Sequence, residues 1–304
     1  MLKERLVFSN GEYIKWDHAT VHMASHSFSR GSAIFEVISL HEADSGPVIF
    51  RLDEHISRLF QSAHLLNMTL PVTIQDLEGK VKETIRKNGL KKGIVKIVCY
   101  YPQIAFDITP PDSKAAVVIF AVDPEQDLPS MTSLSKETTT ICISKWRKLD
   151  PQTVPIEAKA SANYLNGMMA LLEAKKRGFE QAVMLDTQGF IAEGGTESVF
   201  WVKDDRLMTS AVGTILQSIT RKSILEAAAT DGIKTVEIRT GPEALLEADE
   251  VFLSCTPFKA LPARQIENRL FNGVPGPITK RLISLLDDIV SGRDTRYQTW
   301  LFPV

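Results

Sequence analysis

The stretch PIEAKASANYLNGMMALLEAKKRGFEQAVMLDTQGFIAEGGTESVFWVKDDRL, residues 155–207, carries the most information about this chain. Near its start, Lys159 stands among the small residues Ala158, Ala160, Ser161 and Ala162. A solvated lysine gains nothing from small neighbours, because its charged head group extends into water on a long stem. Small side chains instead leave room for a flat, bulky group beside the amine. The pattern therefore indicates a lysine that holds a ligand.

The composition is that of an ordinary globular protein. The chain has 304 residues, 44% hydrophobic and 24% charged, which is enough to bury a sizeable core. Its net charge of −2, from 35 basic and 37 acidic residues, argues against nucleic-acid binding, which normally shows a basic excess. No apolar run approaches the roughly 20 residues of a membrane span. The start, MLKERLVFSNGEYIKW, lacks the apolar region of a secretory signal.

Two sets of potential ligand residues point away from a metal site. The three cysteines Cys99, Cys142 and Cys255 are odd in number and show no Cys-x-x-Cys spacing, which favours reduced thiols in a cytoplasmic protein. Histidines recur every four residues over 18–26, a spacing that would align ligands on a helix. That segment has β-leaning residues and no helix cap. We therefore expect polar residues near a domain face and no metal.

Turn and cap residues predict the elements of the first part of the chain. A hairpin is expected to turn at Asn10-Gly11, and Asp53 is expected to cap a helix. A second helix should run over 73–88 and stop at Gly89. The apolar stripe of the first helix is Ile56, Leu59, Phe60, Ala63 and Leu66. The predicted strands are AIFEVISL, VIFRL, IVKIVCYY and AAVVIFAV.

The polar, proline-containing segment DPEQDLPSM, residues 123–131, predicts a linker between two domains. Beyond it, a helix should follow Lys159, another should begin near Ser218, and a last one should span 276–290. The apolar residues of the first of these are Leu165, Met168, Met169 and Leu172. Strands are expected at TTTICISKW, QAVMLD, SVFWVKD, KTVEIRT and EVFLSC, with FIAEGGTE as a loop. Interleaved strands and helices without a strict repeat indicate α+β or mixed α/β architecture in two domains.

Four features together suggest a site for a flat, phosphorylated ligand. They are Lys159, an acid at Glu193 beside two glycines that admit close backbone approach, the helix start at 218–220, and Arg58. Free N–H groups at a helix start suit a phosphate, and a guanidinium gives it a forked contact. Each feature also has an ordinary explanation. Lys159 and Arg58 could be solvated charges, Arg58 with Glu54 as surface partner; Glu193 could be a loop acid, and the helix start a simple cap.

At this point the sequence closely resembles the branched-chain aminotransferases, which are fold-type IV enzymes that depend on pyridoxal 5'-phosphate. D-amino-acid aminotransferase and aminodeoxychorismate lyase are relatives within this fold. The resemblance covers nearly the whole chain and is carried by residues 155–207 and by HSFSRGSAIFEV, FRLDEHISRLFQSA, ILQSITR, VFLSCTP and GPITKRL. It implies a two-domain mixed α/β fold: a small N-terminal domain over 1–122, a linker over 123–133 and a larger cofactor-binding domain over 134–304.

The resemblance also implies roles for individual residues. Lys159 matches the lysine that forms the Schiff base with pyridoxal phosphate, Tyr164 the phenol beside the ring hydroxyl, and Glu193 the acid facing the pyridine nitrogen. The phosphate group would be held by Arg58, Ser218, Ile219, Thr220 and Thr256. The substrate would meet Arg30, Phe35, Lys96, Thr256 and Pro257.

Several of these positions depart from the branched-chain pattern. Gln217-Ser218 replaces the usual Pro-Gly before the phosphate-binding helix, which should keep the site because backbone N–H groups do the binding. Pro257 replaces an alanine whose N–H helps to hold the substrate carboxylate, and proline has no N–H to donate. Arg30 stands where the family has a tyrosine, and Lys96 where it has an arginine. The carboxylate-binding apparatus is therefore expected to be rearranged.

The implied activity is amino transfer between a branched-chain-like amino acid and a 2-oxo acid such as 2-oxoglutarate. A D-amino-acid aminotransferase or an aminodeoxychorismate lyase is the alternative that keeps the cofactor, and Arg30 and Pro257 leave it open. A non-catalytic cofactor-binding or structural protein is a further alternative, against which Lys159, Tyr164 and Glu193 together argue. The expected partners are small amino and oxo acids and a second copy of the chain, as a homodimer or larger homo-oligomer, with no nucleic acid and no membrane.

Overall fold

Contacts within the computed structural model, which describes residues 2–129 and 136–304, divide the chain into two compact units. The first unit comprises Met1–Thr132, Ala158–Ala162 and Asp288–Val304. The second comprises Ser133–Glu157 and Asn163–Asp287. In each unit, helices pack on a large sheet.

The predicted domain boundaries differ from these units in two places. Residues 158–162 and 288–304, assigned from the sequence to the C-terminal domain, lie in the first unit. Part of the predicted linker, residues 130–133, lies outside the described residues together with residue 134, so the boundaries near 122 and 134 stay a prediction. The described beginning of the linker is folded. Asp123 caps a short helix, α4 (Pro124–Asp127), and the buried Asp127 carboxylate lies 2.9 Å from the Arg5 guanidinium.

The first unit contains a sheet whose neighbouring strands all run antiparallel. In the described residues its spatial order is β16-β4-β3-β5-β6-β1-β2. The strands are β1 (Leu6–Ser9), β2 (Glu12–Lys15), β3 (Ile34–Ala43), β4 (Gly46–Phe50), β5 (Gly93–Tyr100), β6 (Ala116–Val122) and β16 (Leu301–Pro303). The helices of the first unit are α1 (His26–Arg30), α2 (Leu52–Leu65), α3 (Ile74–Lys87) and α4.

Local sequence explains most of this unit. Asn10 and Gly11 take the positive φ values of 50° and 105° that a tight hairpin needs between β1 and β2, as predicted. Thr73 and Asp76 form a capping box at the start of α3. The start of α2 differs from the prediction, because Arg51, in a left-handed conformation, is the cap residue and Asp53 lies inside the first turn. The inner side of α2 packs on β3, as its apolar stripe predicts.

Residues 295–304 are tied to the first unit through Arg51. β16 pairs antiparallel with β4 at the edge of the sheet, and the Arg51 N–H donates a 2.7 Å hydrogen bond to the Trp300 carbonyl oxygen. The buried Arg51 guanidinium lies 3.6 Å from the centre of the Trp300 ring, a favourable cation–π arrangement. This C-terminal segment thus completes the sheet that begins near residue 6.

The second unit contains a mixed sheet in the order β12-β11-β10-β13-β14-β7-β8-β9, with β15 paired to β14. Its strands are β7 (Thr139–Arg147), β8 (Gln181–Leu185), β9 (Ile191–Gly194), β10 (Ser198–Lys203), β11 (Arg206–Ser210), β12 (Lys234–Ile238), β13 (Glu250–Ser254), β14 (Leu261–Ile266) and β15 (Arg269–Leu270). Its helices are α5 (Tyr164–Lys176), α6 (Ile219–Thr230), α7 (Glu243–Leu246) and α8 (Pro277–Val290), the last of which ends in the first unit.

Helix α5 exists as predicted, but the predicted apolar stripe was wrong. Leu165, Met168 and Leu172 are exposed, whereas the buried positions of the helix are Gly167, Ala170 and Ala174. The helix therefore packs closely on its sheet through small residues and turns its large apolar residues outward. In the described residues no helix is long and apolar enough to cross a membrane.

Candidate active site

The segment that carries Lys159 pairs with residues 33–35, at the start of β3. The Phe35 N–H donates to the Lys159 carbonyl oxygen at 3.0 Å, and the Ser161 N–H donates to that of Ala33 at 2.8 Å. Ala158 and Ala160 are buried in the core of the first unit. Two of the small neighbours of Lys159 are thus required by packing, whereas Ser161 and Ala162 are exposed, and the room for a ligand that the sequence suggested stays a prediction.

The Lys159 ammonium group lies 4.8 Å from the centre of the Phe35 ring. Its backbone is fixed as well, because the Lys159 N–H donates to the Ser62 hydroxyl on α2 at 3.0 Å. A second cation, Lys96, lies 5.0 Å from the same ring, and burial lowers the pKa of Lys96. The amines of Lys159 and Lys96 therefore both lie near the Phe35 ring, and both residues were expected at the site.

Arg58 is held by a buried carboxylate that the sequence analysis missed. Its Nε and Nη2 each donate a 2.7 Å hydrogen bond to Glu36, one to each oxygen. The His55 ring nitrogen Nδ1 lies 2.8 Å from the same carboxylate. Burial raises the pKa of Glu36, but the charge and hydrogen bonds of Arg58, aided by His55, outweigh it and lower the pKa to about 2. This Glu36–His55–Arg58 group fixes the plane of the Arg58 guanidinium.

The charges of this group and of Lys159 act on one histidine. Burial lowers the pKa of His55; Glu36 opposes this effect, while the positive charges of Arg58 and Lys159 reinforce it. His55 is therefore neutral near pH 7 and donates through Nδ1 to Glu36. Lys159 therefore has one further cation, Lys96, beside the same aromatic ring, and another, Arg58, beside the same histidine.

In the second unit, Glu193 forms an ion pair that the sequence did not reveal. It lies on strand β9, not in the loop that was predicted over 190–197. Its Oε1 is 2.5 Å from the Lys148 ammonium nitrogen, and both side chains are only 10% exposed. A carboxylate held at one oxygen by a lysine has its other oxygen available to accept a charged hydrogen bond, which suits a protonated ring nitrogen.

The two glycines after Glu193 lie in a tightly packed turn that leaves no room for a side chain at Gly194. A Cβ on Gly167 of α5 would lie 2.2 Å from the carbonyl oxygen of Gly195, and a Cβ on Gly194 would lie 2.7 Å from a carboxylate oxygen of Glu197. The helix backbone and the turn after β9 are therefore in direct contact. This contact fixes the strand end that presents Glu193.

Replacing Gly167 by alanine tests that contact. Alanine normally stabilises a helix interior by about 1 kcal/mol relative to glycine, but here it must push the turn at Gly195 away, at a cost of about 1–3 kcal/mol or more. We expect Gly167→Ala to lower the free energy of unfolding and Gly79→Ala, in α3 with open space around its Cβ position, to raise it. Urea unfolding of both variants measures the difference. Equal stabilisation in the two would contradict the close approach.

The helix start expected to hold a phosphate is present. Ser218 caps α6, and its hydroxyl accepts from the Arg221 N–H at 3.2 Å. The N–H groups of Ile219 and Thr220 belong to the first turn, which has no partners within the helix. These groups and the positive end of the helix dipole suit an anion.

Two buried hydroxyls add to the polar lining of the second unit. Ser198 on β10 and Ser254 on β13 face each other in the sheet, and neither hydroxyl has a hydrogen-bond partner in the described structure. A buried hydroxyl without a partner is costly, so these two groups favour a polar ligand. Ser254 lies two residues before Thr256. The donor set thus fits a phosphorylated ligand such as pyridoxal phosphate.

The remaining expected residues are less constrained. Tyr164 begins α5 and is half-buried. Thr256 is half-buried and Pro257 exposed. Arg30 ends α1, and its Nη2 donates a 2.9 Å hydrogen bond to the Phe106 carbonyl oxygen at an exposed position. The roles assigned to them stay predictions.

Comparison with known proteins decides the family. The family model described as amino-transferase class IV matches residues 33–266. The chain belongs to the class IV aminotransferases. It is therefore an enzyme that uses pyridoxal phosphate to move an amino group between an amino acid and a 2-oxo acid.

Relatives of this class IV aminotransferase share its full length. The branched-chain-amino-acid aminotransferase of Salmonella typhimurium is 32% identical over 304 residues, 99% of this chain and 98% of the relative. A branched-chain aminotransferase from Thermoproteus uzoniensis crystallised with norvaline has a TM-score of 0.92 at 31% identity, covering 98% of this chain and 99% of its own. The branched-chain amino acid aminotransferase from Thermobaculum terrenum, crystallised in its PLP form, has a TM-score of 0.91 at 28% identity, covering 100% of this chain and 99% of its own. The predicted two-domain mixed α/β fold is confirmed.

Of the two residues that sequence reasoning missed, Glu36 left a readable signal and Lys148 did not. In β3, Ile34, Glu36 and Ile38 occupy alternate positions that all face the core. A charged residue at a core-facing position needs a buried partner, so the strand pattern could have identified Glu36. Lys148 lies in the run KWRK, whose three basic residues the sequence cannot tell apart.

Proposed function

We propose that this aminotransferase moves the amino group of branched-chain L-amino acids to 2-oxoglutarate. The observation that carries the proposal is the face of the first sheet beside Lys159. Phe35 and Val37 on β3 lie opposite Val98 and Lys96 on β5, so their side chains share one face of the sheet, and all four are half-buried. This face combines apolar surface for a branched side chain with one ammonium group for a carboxylate. The names of the relatives agree with it.

The chain's own groups divide the work of cofactor binding and proton transfer. When bound, pyridoxal phosphate supplies an electron sink that weakens the bonds to the substrate Cα. We propose that Lys159 attaches the cofactor and, once released, carries the proton away from Cα as a general base. Arg58, oriented by Glu36, and the first N–H groups of α6 hold the phosphate. Glu193 accepts a hydrogen bond from the protonated ring nitrogen.

The substrate carboxylate requires cations that compensate for Pro257. Lys96 already faces the Phe35 ring with no charged group shifting its pKa, and we propose that it binds a carboxylate. Arg30 is a second candidate, since a guanidinium matches a carboxylate with two parallel bonds. Its present partner, the Phe106 carbonyl, is an exposed hydrogen bond that a carboxylate can replace.

We also propose that the enzyme works as a homodimer. Two adjacent segments of the first unit, joined by hydrogen bonds between 24–26 and 103–105, expose six large apolar side chains. These are Val21, Met23, Phe28, Ile104, Phe106 and Ile108. Contiguous apolar surface of this kind usually marks a contact with another protein, and a second copy of the chain is the partner we propose.

A cytoplasmic location is proposed from the cysteines. Cys99, Cys142 and Cys255 are buried and free of disulfides. Burial raises the pKa of the Cys99 thiol to about 12, so this group is kept as an inert thiol. A reducing compartment suits a chain with such residues.

A panel of amino acids in both enantiomers, with 2-oxoglutarate as acceptor, tests the proposed function. L-Valine, L-leucine and L-isoleucine are expected to give glutamate and the matching 2-oxo acid, with kcat/KM at least tenfold above their D-enantiomers. Activity with D-alanine and none with the branched L-amino acids would replace the proposal by a D-amino-acid aminotransferase. Pyruvate formed from aminodeoxychorismate without an acceptor would replace it by a lyase.

A further inference from the structure

The Lys148–Glu193 ion pair gives the cofactor-facing acid a fixed geometry. Lys148 follows β7, and its N–H donates a 2.8 Å hydrogen bond to the Leu185 carbonyl oxygen on β8. This bond sets the lysine backbone beside the strand that leads to Glu193. Its ammonium nitrogen then reaches Oε1 of Glu193 at 2.5 Å. In the described residues, Oε2 of Glu193 makes no hydrogen bond.

A second acid near Glu193, Glu197, does not share Lys148. Its carboxylate is buried and accepts from the Thr196 N–H at 2.9 Å and the Thr196 hydroxyl at 2.7 Å. Burial, helped by the charge of Glu193, raises the pKa of Glu197. Among the described residues Glu197 has no ion-pair partner. The single lysine is therefore committed to Glu193, and it is not shared between the two acids.

We propose that Lys148 is a positioning residue for the cofactor: it binds one oxygen of Glu193 and leaves the other to accept a hydrogen bond from the ring nitrogen. The proposal rests on the role proposed for Glu193. A proton between the ring nitrogen and the acid can reside on either group. Lys148 contacts the acid directly, so with the cofactor bound its charge would favour the carboxylate form of Glu193 and leave the proton on the ring nitrogen. Lys148 thus keeps the proton on the ring.

The variant Lys148→Met removes the charge and keeps much of the side-chain volume, while Lys148→Arg keeps the charge. Lys145→Met, three residues earlier on β7 and exposed, is the matched control. Three readouts are taken on the full chain: the Tm of the cofactor-free protein, the Kd for pyridoxal phosphate, and the nitrogen NMR shift of bound cofactor labelled with ¹⁵N in the ring.

In Lys148→Met we expect the Tm to fall, the Kd to rise at least about tenfold, as for one charged hydrogen bond, and the ¹⁵N shift to move toward the unprotonated ring. Lys148→Arg should retain the wild-type shift, and Lys145→Met should match wild type in all three. Adding Glu193→Gln to Lys148→Met should restore part of the Tm, because the buried unpaired charge is gone.

Two results would overturn the proposal: a wild-type ¹⁵N shift with a Kd within twofold in Lys148→Met, or a Tm loss of the same size whether or not Glu193 is present. The single variant Glu193→Gln separates this failure from that of the proposed function. If Glu193→Gln leaves the ¹⁵N shift unchanged, Glu193 does not face the ring, and the cofactor assignment itself is wrong. If Glu193→Gln moves the shift and Lys148→Met does not, only the role of Lys148 is wrong.

Discussion

Lys159→Ala is expected to abolish repeated turnover and leave the protein folded. The backbone hydrogen bonds of residue 159 to Phe35 and Ser62 do not depend on its side chain, and alanine is the residue on both sides. The amine, however, is the group that attaches the cofactor and transfers the proton. General acid–base catalysis alone contributes about 10²–10⁴ in rate, and the covalent attachment is lost in addition. We expect kcat to fall by at least about 10⁴.

The absorbance spectrum provides a second readout of the same variant. Wild-type enzyme should show a visible band, dependent on pH, from the cofactor joined to Lys159, and the variant should show only free or loosely held cofactor. Lys175→Ala and Lys176→Ala are the matched controls, since both lysines are exposed near the end of α5. A normal rate and an unchanged band in Lys159→Ala would show that the attachment site is another lysine.

Glu36→Gln is expected to destabilise the first unit and to weaken cofactor binding. Removing one partner of a buried ion pair costs about 3–5 kcal/mol, because the other charge is left without compensation. The charge left here is Arg58, which also loses one of the two carboxylate oxygens that accept its hydrogen bonds and fix its plane. We therefore expect a lower free energy of unfolding and a Kd for pyridoxal phosphate raised by at least about tenfold, as for one charged contact.

Asp127→Asn separates the two effects. Asp127 is equally buried in the first unit and pairs with Arg5, but neither residue is assigned to the site. Its replacement should reduce stability and leave the Kd unchanged. A Glu36→Gln variant with wild-type affinity would mean that Arg58 does not hold the phosphate.

The pH dependence of Glu36→Gln follows from the lowered pKa. The ordinary value of a glutamate is 4.5, and in the folded protein Glu36 has a pKa of about 2. A lowered pKa contributes stability that is complete above the unfolded value and is lost as the pH falls through the folded one. The stability difference between wild type and Glu36→Gln should therefore be constant above about pH 5 and shrink between pH 4.5 and 2. Urea unfolding at several pH values measures it.

Local chemistry made much of the fold predictable. The Asn10-Gly11 turn depends on backbone preferences within a few residues, and it is confirmed; the helix expected over 73–88 is present as α3. The stripe on α5 could not be predicted, because its direction depends on where the backbone of Gly195 approaches Gly167. Neither close backbone contact nor the exposure of Leu165 and Met168 is encoded in the helical period.

The candidate site was predictable as a set of residue types and not as a set of contacts. Lys159, Arg58 and Glu193 were recognised from motifs. The partner of Arg58, Glu36, and the partner of Glu193, Lys148, are distant from them in the sequence. Such pairs form only when segments far apart in the sequence come together in the fold. A single sequence does not determine which segments meet or in which register. The small residues around Lys159 illustrate the same limit. The sequence singled them out, but only the structure shows that Ala158 and Ala160 pack in the core.

The pairing of β16 with β4 has a consequence for how the protein is made. The first unit needs residues 288–304, which leave the ribosome only after the whole second unit has been synthesised. Until then β4 is an open sheet edge, and Arg51 lacks the Trp300 ring that covers it. The sheet of the first unit must therefore stay incomplete during translation until β16 has been synthesised and can pair with β4.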